Sequence, residues 1–254
     1  MTTRRDDRSP FEDERTGRPS LLRPSLHTVA APPAAEGIVL VLHGGRERGL
    51  SRVRPGQLSV LRMVPIARRI AAAGSGRLAV SRLQFAVRGW NGAAASPVAD
   101  AEWAIDQIRL RYGPDVPLAL VGHSMGGRTA LRVGGAAGVR SVVGLAPWLP
   151  GGEPTGQLRG RRVLLVHGSA DRVTSPRASA RYVETLGGVT AGASFVEVVG
   201  GEHTMLRRRE VFESLAAGFV TGTLLDPAPA ARPSAGPLPD VVQQVLTGST
   251  RLSV

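Results

Sequence analysis

The 254 residues are 42% apolar and hold 32 basic residues, 20 acidic residues and no cysteine. That is enough for one substantial core, so one domain is expected rather than two small ones, and a disulfide framework or thiolate metal site is excluded. All the basic residues are arginines, giving a formal charge of +12. A GC-biased coding sequence accounts for this most cheaply, since Ala, Gly and Val are also abundant; an anionic partner is the sharper alternative.

Residues 1–25 alternate Arg with Asp and Glu between prolines and hold no apolar stretch of the length a secretory signal needs. A flexible arm is expected there, and a cytoplasmic protein. No apolar run approaches the roughly 18 residues of a membrane span, so no membrane partner is expected. From 26 to 225 short apolar runs alternate with segments of helical period, the pattern of parallel strands joined by crossover helices. Leu26–Ala30 can supply one leading strand, followed by a strand over Ile38–Leu42, a helix over Leu58–Ala73 and a strand over Leu78–Phe85. A helix over Val98–Tyr112 then leads to a strand at Leu118–Val121, a helix from Met125 to Gly134 and a strand at Ser141–Leu145. Val163–Val166, a helix over Pro176–Leu186, Ser194–Val199 and a helix over Arg208–Val220 complete the domain; Gly74 and Gly113 read as helix stops. The expected fold is α/β, a mostly parallel sheet of about six to seven strands flanked by helices. Residues 226–254 open with DPAPAARPSAGP and read as a Pro/Ala-rich tail, with LPDVVQQVL as one or two amphipathic turns.

The sharpest local signal is Gly122-His123-Ser124-Met125-Gly126, a G-x-S-x-G motif between an apolar strand and a helix. The turn from strand to helix is so tight that a Cβ two residues before or after the serine would fill the space the chain needs. Ser124 is thereby pushed out over the sheet edge, and the helix starting at Met125 aims free N–H groups at any negative charge that develops there.

A serine hydroxyl needs a neighbouring base, and the base needs a third group to hold its tautomer. Asp171 follows the strand Val163–Val166, and His203 follows the strand ending near Val199. Ser124, Asp171 and His203 each lie beyond the carboxyl end of a different strand, the edge at which open parallel sheets bind ligands. Glu153, after the preceding strand, is a rival for the acid. Of the other histidines, His123 is expected to point away from the serine, His43 and His167 to hydrogen-bond loop backbone, and His27 to lie on the surface.

These segments, with His43-Gly44-Gly45 after the first strong strand, His167-Gly168-Ser169-Ala170-Asp171 and Gly201-Glu202-His203, resemble the α/β-hydrolase superfamily over about residues 36–223. The resemblance is to its small, capless serine esterases of the dienelactone-hydrolase-like type. It implies Ser124 as nucleophile, His203 as base and then acid, and Asp171 as orienting acid. It places the oxyanion hole at the backbone N–H of Met125 and one N–H from the Gly44-Gly45-Arg46 loop, with Gly45 the choice among the three. A serine at the elbow speaks against haloalkane dehalogenases and epoxide hydrolases, which have aspartate there. Two departures stand out: too little apolar sequence precedes Ile38 for a pair of leading strands, and only PWLPGGEPTGQLRGRR separates Ala146 from Val163, where many relatives insert a helical cap. An open pocket is expected, which argues against cap-dependent peptidases. Trp148, with Leu149, and Trp90 either form its rim or pack within their loops.

The expected function is hydrolysis of a small-molecule carboxylic ester or thioester through an acyl-enzyme. One alternative is acyl transfer with the same three residues; another is a non-catalytic polyanion-binding protein. From Arg46 to Trp90 ten arginines face one acid, Glu47, while the rest of the chain is nearly balanced. No arginine-rich stretch is interleaved with stacking aromatics, so no specific nucleic-acid binding is expected. If part of the excess faces the pocket, it favours acidic or phosphate-bearing acyl substrates, such as coenzyme A thioesters, by steering. There is no Walker lysine, no dinucleotide loop after a strand and no histidine pair at zinc spacing, so no cofactor and no metal are implied.

Overall fold

The computed structural model describes residues 22–225 and 238–254. Residues 1–21 of the expected arm, and the first part of the expected tail at 226–237, lie outside them. Among the described residues eight strands form one sheet: β1 (Ser25–Ala30), β2 (Gly37–Leu42), β3 (Leu78–Gln84), β4 (Leu118–His123), β5 (Val139–Leu145), β6 (Arg162–Gly168), β7 (Gly192–Val198) and β8 (Arg251–Ser253). Their order is β1-β3-β2-β4-β5-β6-β7-β8; β1 runs antiparallel to β3 and every other pairing is parallel. Among the described residues the leading antiparallel element is one strand, in keeping with the short apolar sequence before Ile38. The strand count exceeds the expected six to seven because of β8.

The helices are α1 (Leu58–Leu61), α2 (Met63–Ala73), α3 (Ser96–Tyr112), α4 (Met125–Arg132), α5 (Pro176–Thr185), α6 (Arg209–Leu224) and α7 (Pro239–Leu246). The central strands are apolar on both faces because helices cover both. Ile38, Leu40 and Leu42 of β2 join the core under α3, α4 and α5, while Val39 and Val41 join the core under α2, α6 and α7. Each such side chain, removed from water, contributes about 1.5–3 kcal/mol.

Two differences from the sequence expectation have local causes. The single helix expected over Leu58–Ala73 is broken between Leu61 and Met63. Pro65 has no N–H to give the Leu61 carbonyl and its ring crowds that carbonyl, so the proline sits instead in the first turn of a new helix. The expected tail, over residues 238–254, is part of the domain. Val242 and Val245 of α7 are buried, and α6 receives them with small residues. A Cβ on Gly218 would lie 2.8 Å from Val242, and one on Gly222 would lie 2.4 Å from Leu246. β8 then pairs with β7 through Phe195, Val196 and Glu197.

The connection from β5 to β6 contains only a single 3₁₀ turn, Gly156–Leu158, and no helical cap. Among the described residues no helix is long and apolar enough to cross a membrane.

Candidate active site

Ser124 stands between the end of β4 and the first residue of α4 with φ +54° and ψ −117°. This region is unfavourable for a residue with a Cβ, at a cost of about 1–3 kcal/mol. Tertiary contacts hold it there. The Ser124 N–H donates to the Leu145 carbonyl (2.9 Å), and the Ser124 carbonyl accepts from Arg128 (3.2 Å) and Trp148 (3.1 Å). Both flanking glycines are demanded by space: a Cβ on Gly122 would lie 2.1 Å from the Gly126 carbonyl oxygen, and one on Gly126 would lie 2.4 Å from that of Leu42.

Met125 opens α4, so its N–H has no acceptor within the helix. Across from it, a Cβ on Gly45 would lie 2.3 Å from the Met125 side chain, and one on Gly44 would lie 3.4 Å from the Ser124 Cβ. The Arg46 N–H is already given to the Arg88 carbonyl (2.8 Å), which leaves Gly44 and Gly45 as the donors of this loop nearest the serine.

Asp171 and His203 are brought together: His203 Nδ1–H donates to Asp171 Oδ2 at 2.7 Å. The same oxygen accepts from His167 Nε2–H (3.0 Å) and the Thr174 hydroxyl (2.8 Å). Asp171 Oδ1 accepts the backbone N–H groups of Val173 (2.7 Å) and Thr174 (2.9 Å). Burial alone would raise the Asp171 pKa; the hydrogen bonds from His167, His203 and Thr174 outweigh it and hold the carboxylate well below its usual range. The side chain of His203 is part-exposed and that of Asp171 fully buried. Among the described residues no hydrogen bond joins Ser124 Oγ to His203; contacts of this kind often tighten only when substrate binds.

Three supporting groups were invisible to sequence spacing. His123 does not simply point away into the turn: its Nε2–H donates to the His203 carbonyl (3.0 Å), and the two rings lie 4.8 Å apart. His167 does not bond loop backbone; Ser179 Oγ–H donates to its Nδ1 (2.8 Å), which fixes the tautomer that gives Nε2–H to Asp171. Thr174 completes the cradle. Only its place three residues after an aspartate in an Asx-type turn hints at this. His43 does bond loop backbone, with Nδ1–H to the Gly44 carbonyl (2.6 Å) and Nε2 accepting from Phe85 (3.1 Å).

Glu153, the rival acid, is committed elsewhere. It pairs with Arg128 and Arg132, each at 2.6 Å, and its side chain is buried. Arg128 in turn stacks 3.8 Å from the Trp90 ring and 4.7 Å from that of Trp148. Trp90 is 3% exposed, so it packs beneath Arg128 and is not a rim residue. Trp148 is half-buried, and its backbone touches Ser124. A cavity of about 160 Å³ adjoins the Gly44–Gly45 loop. A larger one, about 240 Å³, is lined by Arg69 and residues of α6 and shares no residue with this cluster. Among the described residues no group of three or more His, Asp or Glu could hold a metal ion.

Burial pushes His43 down to about 4 and His123 down to about 3. The unfolded chain protonates both near pH 6.5, so below that it binds protons the folded chain refuses, and stability falls as pH falls. The loss is expected to be about 1.4 kcal/mol per pH unit for each histidine. Asp171 adds nothing in this window, because its depressed pKa withdraws stability only below the ordinary carboxylate range. Urea midpoints measured from pH 7 to pH 5 are expected to fall steadily; a flat profile would refute neutral burial of the two rings.

No family model and no curated protein matches the sequence. Solved structures do match in shape. An α/β serine hydrolase without a lid from Xanthomonas campestris aligns at 18% identity and TM-score 0.57, covering 81% of this chain and 90% of its own. Est1E from Butyrivibrio proteoclasticus, solved with ferulic acid bound, aligns at 13% identity and TM-score 0.60, covering 80% and 96%. An esterase from Pyrococcus furiosus aligns at 14% identity and TM-score 0.59, covering 75% and 84%. At these identities the likeness is one of fold.

Proposed function

We propose, on the premise of the α/β-hydrolase fold that this chain has, that it is a serine hydrolase cleaving carboxylic esters or thioesters through an acyl-enzyme on Ser124. The observation that carries the reading is the 2.7 Å His203–Asp171 hydrogen bond at the same sheet edge as a serine held at φ +54°. In this reading His203 Nε2 takes the hydroxyl proton as Ser124 Oγ attacks the carbonyl carbon. The oxyanion is met by the Met125 and Gly45 N–H groups. Collapse expels the leaving group with the proton from His203. Water, deprotonated by the same nitrogen, then attacks the acyl-enzyme and releases the acid.

Acyl transfer needs the same first half-reaction. The short β5–β6 connection favours hydrolysis, since no cap helix stands there to keep water from the acyl-enzyme. Turnover of a chain-length series of p-nitrophenyl esters and acyl thioesters, with added alcohols and amines, tests both. Free acid is expected as the main product. A dominant new ester or amide would make the protein a transferase, and no turnover of any ester would remove the reading.

A further inference from the structure

We propose that the cavity beside the Gly44–Gly45 loop is a subsite for an anionic group, a carboxylate or phosphate, carried by the ester or thioester substrate. This rests on the hydrolase reading and gives it a substrate class.

The cavity, about 160 Å³, is lined by Gly44, Gly45, Arg46, Gln57, Ser59 and Arg88, with buried His43 and Val53. Its lining thus includes two arginines, a glutamine and a serine, and no acidic residue. Arginines with structural work elsewhere have partners: Arg128 and Arg132 share Glu153, Arg77 pairs with Glu36, and Arg109, Arg161 and Arg162 donate to backbone carbonyls. Among the described residues neither the Arg46 nor the Arg88 side chain has a hydrogen-bond or ion-pair partner. Both belong to the segment in which Glu47 is the one acid.

Their backbones are fixed before any ligand arrives. Arg46 N–H donates to the Arg88 carbonyl (2.8 Å), Trp90 N–H to the Arg46 carbonyl (2.9 Å) and Arg88 N–H to the Ser51 carbonyl (3.1 Å). The two loops cross so closely that a Cβ on Gly89 would lie 2.3 Å from the Gly49 nitrogen. A pair of guanidinium groups rooted in one rigid crossing loses less freedom on binding an anion than two on independent loops. The site is also next to the reacting serine, since Gly44 and Gly45 line the cavity and pack against Ser124 and Met125.

The test compares p-nitrophenyl butyrate with the p-nitrophenyl hemiester of succinate, and acetyl thioesters of a neutral thiol with those of a phosphate-bearing thiol. The readout is the ratio of kcat/KM for the anionic and neutral members of each pair. Wild type is expected to favour the anionic member, with a ratio that falls as salt is added. Arg46→Ala and Arg88→Ala are each expected to lower the ratio about five- to tenfold through KM, allowing for the exposure of Arg46 and the partial exposure of Arg88. The pair that responds identifies carboxylate or phosphate as the group recognised. A wild-type ratio of one or below, or a ratio unchanged in the double variant, would overturn the subsite. If no ester is turned over, the hydrolase reading fails separately, and calorimetry with inorganic phosphate and with succinate decides the subsite. Binding lost in the double variant supports it, and no binding to wild type overturns it.

Discussion

Ser124→Ala is expected to lower ester turnover by a factor on the order of 10⁶ while leaving the fold intact. The two halves of that expectation have separate grounds. Alanine keeps the Cβ, so the strain at φ +54° is unchanged, and so are the backbone bonds to Leu145, Arg128 and Trp148. Among the described residues Ser124 Oγ has no hydrogen-bond partner, so its removal orphans nothing; the unfolding free energy is expected to move by less than about 0.5 kcal/mol. What goes is the hydroxyl proposed as nucleophile. A fluorophosphonate probe reads this directly: wild type is labelled and the variant is not. Labelling that persists would move the nucleophile to another serine.

Asp171→Asn is expected to cost about 10⁴-fold in kcat, and the structure says why the amide cannot sit harmlessly. Oδ1 accepts two backbone N–H groups, so asparagine must place its oxygen there. Its NH₂ then occupies the Oδ2 position and faces three groups that now donate to it: His203 Nδ1, His167 Nε2 and the Thr174 hydroxyl. His203 can relieve the clash only by moving its proton to Nε2, and an Nε2 that carries a proton cannot take one from Ser124. The opposite amide orientation sets NH₂ against two backbone donors, which have no alternative tautomer. Steady-state kinetics on an activated ester check the size of the loss. A fall of less than tenfold would mean that His203 does not depend on Asp171.

What could be read from the sequence follows the range over which each signal acts. The buried strands and the Ser124 turn are local: apolar runs, a motif and its two glycines all lie within a few residues, and the structure places them where those patterns point. Asp171 and His203 could be singled out because both follow strands, and the ends of parallel strands share an edge. Their supports could not. His123 is adjacent to Ser124 in sequence but serves His203, and His167 was legible as a histidine before a glycine but not as a donor to Asp171. Glu153 looked like an alternative acid because its position in the chain suits one. Its actual partners, Arg128 and Arg132, lie on a helix whose burial the sequence did not disclose. The C-terminal segment reads as a tail because a Pro/Ala stretch stands between it and the domain. Its apolar residues were visible, but the glycines of α6 that receive them are small-residue positions with no signal of their own.

That C-terminal segment has a consequence for how the molecule behaves among copies of itself. β7 carries Phe195, Val196 and Val198 into the core and would otherwise be the last strand of the sheet, with one row of amide and carbonyl groups open to any passing strand. β8 occupies that row: Phe195 donates to Thr250, Val199 to Val254, and Val254 to Glu197. β8 is only three residues long and shows Arg251 and Ser253 to solvent, so the new edge is short and charged, a poor template for another chain. The segment that reads as a leftover therefore guards the sheet against edge-to-edge aggregation.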